Sequence, residues 1–179
     1  MVKLSLFRVQ MWKLSKANLI GEIMKKIIFG IIIGFITMGL IVWNIMPKMM
    51  MTVSKSKFDF DETVGRIERA VYENGWSVLH TYDIGNCLAN EGFEEQLIQV
   101  NVISICRAEL SYKILERIEN RFIAGIMPCR IAIYENDEGN VFVSRMNIGL
   151  MSKIFGGTIE KIMSEAAIDE VKILENILE

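Results

Sequence analysis

Met127-Pro128-Cys129-Arg130-Ile131-Ala132-Ile133-Tyr134, then Glu135 to Asn140, then Val141-Phe142-Val143-Ser144-Arg145-Met146-Asn147, is the stretch on which the fold turns. It reads as two short strands around a tight, polar, glycine-containing turn. A Pro-Cys-Arg triplet stands at the mouth of the first strand. Gly125 and Pro128 break the chain just before it.

Working outward, the downstream stretch Asn147 to Glu179 reads as helix, interrupted at Gly156-Gly157 and again near Asp169. Met163, Ala167, Val171, Leu174 and Leu178 recur at helical spacing and predict the face that covers the sheet. Upstream, Gln96 to Cys106 predicts a strand with Ile98, Val100, Val102, Ser104 and Cys106 on one face and Leu97, Ile103 and Ile105 on the other. Ser111 is placed to cap a helix towards Phe122, with Ile114, Leu115, Ile118 and Phe122 as its buried stripe. Asp83 to Gly92 predicts a short helical turn and loop holding Cys87. Trp76, Val78, His80 and Tyr82 alternate as on one face of a half-buried strand. Phe58 to Asn74 predicts an amphipathic helix with the stripe Phe60, Val64, Ile67 and Val71. Asp59 with Glu62 resembles a capping box, and Gly75 suits the left-handed position after the helix. Helices interleaved with strands over short connections predict an α+β domain, a mainly antiparallel sheet with helices packed on one face.

The chain also carries a second kind of segment. Ile27 to Pro47 runs without a charge between Lys25-Lys26 and Lys48, long enough to span a bilayer as a helix. Trp43 stands near its outer end, where an indole prefers the interface. A cleaved signal would have a shorter apolar core and end in small residues; this run ends in Asn44-Ile45-Met46-Pro47-Lys48-Met49. The resulting division is a basic segment 1–26, a transmembrane helix 27–47, a connection 48–57 that can enter the first strand, and the α+β domain 58–179. Six basic residues precede the helix and three, Lys48, Lys55 and Lys57, follow it, which predicts a cytoplasmic N-terminus and an extracytoplasmic domain at the cell membrane. Met24-Lys25-Lys26 is an alternative start, and beginning there nearly evens that balance. Gly30 and Gly34 have the spacing of a helix-dimer face.

Charge excludes one function class. Residues 58–179 carry 11 Lys and Arg against 21 Asp and Glu, a formal charge of −10, while residues 1–26 carry 6 against 1. A domain that acidic repels a phosphate backbone, so nucleic acid is not an expected partner.

Glu73-Asn74-Gly75-Trp76, Ile105-Cys106, Met127 to Tyr134, Ser144-Arg145-Met146-Asn147 and Leu150 to Gly157 together resemble the family called domain of unknown function 302, over roughly Val53 to Leu178. The resemblance implies a compact α+β domain of the TATA-box-binding-protein-like class and self-association as a homodimer. It implies no activity.

Candidate chemistry gathers at the hairpin. Cys106 ends one strand and Cys129 begins another, positions that strands of one sheet can bring to disulfide distance. Arg130 beside Cys129 is placed to lower the thiolate pKa, which a reactive cysteine needs. The plainer reading is that free cysteine packs as a small apolar group. Arg130, Arg145 and Asn147 are candidate ligand-binding residues around that thiol; the plainer reading makes Asn147 a helix cap and pairs the arginines with acidic residues. Three cysteines and one histidine lack zinc spacing, so no metal site is expected. His80 is a sheet residue rather than a ligand or a triad base, since no Gly-x-Ser-x-Gly elbow exists. Gly156-Gly157 lacks the rest of a phosphate loop. Met46 and Met49 to Met51 have the thioethers that suit Cu(I), but interfacial packing is the better account of them. No motif names a cofactor or a reaction. Two functions follow: a membrane-tethered module that binds a ligand or protein, or a thiol-dependent redox, sulfur- or metal-handling protein centred on Cys129 and Cys106.

Overall fold

The computed structural model describes the backbone of residues 2–93 and 99–179, and the side chains of those from residue 24 onward. It divides into two compact units, Met1–Pro47 and Lys48–Glu179. Helix α1 runs Val2–Met50, and its stretch Met24–Met50 is long and apolar enough to cross a membrane. Its polar side chains turn back on the helix: Thr37 Oγ1 donates to the Ile33 carbonyl at 2.7 Å and Asn44 Nδ2 to that of Leu40 at 2.8 Å. In a medium without water that pairing is what keeps such groups tolerable.

The second unit is a five-stranded antiparallel sheet in the order β1-β5-β4-β3-β2, from β1 (Met51–Lys55), β2 (Ser77–Asp83), β3 (Val100–Cys106), β4 (Cys129–Glu135) and β5 (Val141–Met146). The quoted stretch is the β4–β5 hairpin. Asn136 Oδ1 accepts from the amides of Glu138 and Asn140, and Gly139 takes the left-handed φ of 76° that closes the turn. Residues 51–55, within the connection that can enter the first strand, form edge strand β1: the free side of β5 needs partners for its backbone groups, and Thr52 and Val53 suit a strand. The C-terminus ties this strand down, with Lys57 N donating to the Ile177 carbonyl and Glu179 N to that of Lys55, each at 3.0 Å. Of the strand expected over Gln96 to Cys106, Leu97 and Ile98 lie outside the described residues, and β3 begins at Val100.

Register sets the two faces. Ile103 opposes Ile131, which opposes Arg145, and Ile133 opposes Val143. These share the face covered by helices, where Ile103, Ile105, Ile131 and Ile133 are fully buried. A fully buried isoleucine contributes about 1.5–3 kcal/mol relative to an exposed one. Helix α2 (Phe60–Glu73) starts where Asp59 accepts from the Glu62 amide at 2.8 Å and buries Phe60, Thr63, Ile67 and Val71.

Three local expectations shift, each for a visible reason. The pairing of β2 with β3 slips between Val78 and His80. Trp76 and Val78 therefore join the core, while His80 and Tyr82 are exposed and Thr81 reaches Glu68 on α2. The helix expected to begin at Ser111 is α4 (Ala108–Leu115), followed after a break by a 3₁₀ segment, Ile118–Ile126. The earlier start and the break change the phase, so Leu110, Ile114 and Ile123 are buried while Ile118 and Phe122 are exposed. After β5 come α5 (Ile148–Phe155) and α6 (Gly157–Leu174), separated at Gly156 as expected. On α6 the buried residues are Ile159, Ile162, Ala166, Asp169, Glu170, Ile173 and, from the expected stripe, Leu174, while Val171 is exposed. Two carboxylates occupy core-facing positions, so the apolar pattern alone places only part of the buried face.

Candidate functional site

At one end of the sheet β3 finishes, β4 and β1 begin and β5 finishes. Helices α4 and α6 and the 3₁₀ segment close over that end but do not fill it. They leave a cavity of about 340 Å³, walled mainly by Ile105, Leu110, Ile114, Ile123, Ile162 and Met163. Its polar margin is short and includes Cys106, Cys129, Ser111, Arg107, Arg130 and Glu170.

Cys129 opposes Ile105 across the ladder, so it points to the helix-covered side. Burial first, then the charge of Glu170 and the neighbouring Cys106, push its thiol up to about 12. It is therefore protonated at neutral pH. That reverses the expected effect of Arg130: successive strand residues alternate faces, and Arg130 opposes Ser104 on the other side and is exposed. Cys106 stands one register step from Cys129 and meets Ser111 on α4, Sγ to Oγ, at 3.1 Å. All three cysteines, with Cys87 exposed on α3 (Ile84–Asn90), are free thiols.

The candidate ligand-binding residues separate. Arg130 borders the cavity at the start of β4, but its side chain leaves the sheet on the opposite face. Arg145 is on the core face, with Nε 3.1 Å from Glu170 Oε2, and touches the cavity only through that carboxylate. Asn147 caps α5: Oδ1 accepts from the Leu150 amide at 3.0 Å, and Nδ2 donates to the Met49 carbonyl at 3.2 Å.

Two carboxylates that the apolar pattern hid complete the site. Glu170 is 4% exposed; burial pushes its carboxyl up to about 7 against the lowering charge of Arg145. Asp169 accepts from Trp76 Nε1 at 3.2 Å and Arg107 Nη1 at 2.6 Å, with Lys172 Nζ at 3.5 Å. Burial works against its ionised form, but Trp76 and Arg107 together outweigh it and hold the carboxyl below its ordinary range. One helix thus presents adjacent carboxylates in opposite states of comfort. The available signal was Asp169-Glu170 at positions where the helix had to face the sheet. Among the described residues no cluster of three His, Cys, Asp or Glu side chains could hold a metal. His80 packs edge-on to Tyr82, centroids 4.4 Å apart, away from the cavity.

A cavity of this kind holds a small apolar molecule by burial and orients it with few polar contacts. The fold is similar to that of the uncharacterized conserved protein DUF302 from Bacillus stearothermophilus. Its crystal structure superposes with a TM-score of 0.63 at 16% identity, covering 71% of this chain and 97% of that one. A search of curated proteins finds no match. The family model described as Domain of unknown function DUF302 matches residues 51–178, from the first residue of β1 almost to the C-terminus, and the chain belongs to that family.

Proposed function

We propose that this protein is a membrane-tethered ligand-binding module whose site is the cavity at the Cys106–Cys129 end of the sheet. The observation that carries the proposal is the cavity itself: about 340 Å³ of mainly apolar wall with one buried carboxylate in it. An ordinary core leaves few spaces larger than a water, and an apolar hollow of this size is what a small-molecule site presents. Gly125 supplies the test. It is exposed at the cavity's edge, with no atom within 4 Å of where a Cβ would sit and an unstrained backbone, so Gly125→Phe sets a bulky ring at the cavity margin without a clash. Full-length wild type and Gly125→Phe, purified from the same cells, are extracted and their small molecules compared by mass spectrometry. A small apolar compound recovered near stoichiometrically from wild type and lost from the variant supports the reading. Equal recovery, or none from either, counts against it.

The second reading is thiol chemistry, favoured by the presence of both thiols in one cavity. It is weakened by the protonated state that burial imposes on Cys129. If Cys129→Ser retains ligand and Gly125→Phe does not, the binding reading prevails.

Tethering through α1, with the N-terminus inside and the domain outside, belongs to the same proposal. So does the homodimer that the family resemblance implies, which light scattering on the reconstituted chain measures directly.

A further inference from the structure

Glu170 lines the cavity wall with one oxygen 3.1 Å from Arg145 Nε; the Cys129 thiol is near enough to feel its charge, and no other hydrogen bond or ion pair to its carboxylate exists among the described residues. The free oxygen keeps accessible surface, and a carboxylate in so apolar a wall is costly unless water or a ligand donates to it. With Glu170 ionised, as at pH 8, the Arg145–Glu170 pair is neutral as a unit, so the cavity gains little from a charged head. A carboxylate would meet Glu170 directly, and an ammonium would leave water for an apolar wall beside Arg145. We infer that the cavity takes an uncharged, largely apolar molecule carrying one hydrogen-bond donor, an alcohol or phenol, with that donor on the free oxygen of Glu170. This rests on the ligand-binding reading above and gives its ligand a chemical class. The volume admits about a dozen non-hydrogen atoms, at roughly 30 Å³ each by comparison with liquid water.

Trp76 lines the same cavity and reports on it. The full chain is placed in lipid nanodiscs with Trp12 and Trp43 changed to Phe, and Trp76 fluorescence is titrated at pH 8 against empty nanodiscs. Four probes of similar length are compared: 1-octanol, heptyl methyl ether, octanoate and octylamine. Octanol is expected to bind about tenfold or more tighter than the ether, which accepts but cannot donate. The decisive variant is Glu170→Gln. Arg145 can only donate, so it holds the amide oxygen and turns the amide NH2 into the cavity, where it serves an acceptor. The octanol preference is expected to fall to within about threefold.

Octanoate or octylamine binding tightest, or an undiminished octanol preference in Glu170→Gln, overturns the inference and leaves the binding reading standing. Absence of any saturable change that Gly125→Phe abolishes, across all four probes, overturns the binding reading itself.

Discussion

Glu170 sits on α6 with Arg145 facing it from β5 and Cys129 from β4, and that setting fixes how stability depends on pH. Its folded carboxyl titrates near 7 rather than at the ordinary 4.5, so the folded state binds the proton more tightly than the unfolded chain. The stability this supplies is fully present below about 4.5 and is lost as pH rises through 7. The full difference is about 3 kcal/mol at 1.36 kcal/mol per unit. Asp169 works in the opposite sense and lower on the scale: its carboxyl lies below 3.8, so its contribution is lost only in stronger acid. Urea unfolding at pH 5 and pH 8 should therefore show wild type losing stability on the alkaline side, and Glu170→Gln losing much less. Parallel curves for the two proteins would mean that Glu170 is solvated in solution. At the same scale, Trp76→Phe keeps the apolar ring but removes the donor to Asp169, with an expected cost of about 1–2 kcal/mol. Arg107→Leu should cost more, because it removes the 2.6 Å charged partner of a carboxylate that is 9% exposed.

Helix α6 shows where sequence pattern and structure part. Hydrophobic spacing from Met163 to Leu178 is regular enough to read as a face, and Leu174 is buried on it with Met163 and Leu178 against the core, yet the buried face also runs through Ile162, Ala166 and Ile173 and leaves Val171 exposed. Nothing local distinguishes the two, since Ile, Val and Leu populate both stripes. The sheet chooses between them, because only one rotation brings Glu170 to Arg145 and Asp169 to Trp76 and Arg107. Those partners lie between 25 and 93 positions away in the chain, beyond any window of periodicity. The choice is measurable: Ile173→Ala should cost about 2–4 kcal/mol and Val171→Ala less than about 0.5, by denaturant midpoint. The reverse order would restore the pattern-based face. The β4–β5 hairpin was legible for the opposite reason, since its strand signal and turn chemistry are all within a few residues. So was the stop at Gly156, whose φ of 66° and ψ of −178° belong to a region only glycine occupies readily. Gly156→Ala should cost about 1–3 kcal/mol there.

At the scale of the molecule the sequence divides cleanly because two solvents are written into it. From Met24 to Met50 the helix exposes Phe29, Phe35, Met38 and Trp43 with no protein over them, whereas the domain after it is acidic and buries its isoleucines. Such a helix is stable in lipid, where its backbone is satisfied internally and its side chains need no cover. A removable signal would carry the same exposed residues, and the two differ in what remains attached to the domain. Two lysines at Gly34 and Gly39 make the distinction, because neither glycine has an atom within 4 Å of a prospective Cβ and the domain is untouched. Each lysine near the bilayer centre costs about 2.5–3.5 kcal/mol on insertion scales. Wild type should resist alkaline carbonate extraction as an intact chain whose peptides include residues 24–50. The double variant should move to the soluble fraction with the domain still folded, as shown by unchanged Trp76 emission in a Trp12→Phe, Trp43→Phe background. Recovery of a wild-type mature chain beginning beyond Met50 would identify the segment as a signal and remove the tether from the proposed function, while leaving the cavity and its Glu170 as they are.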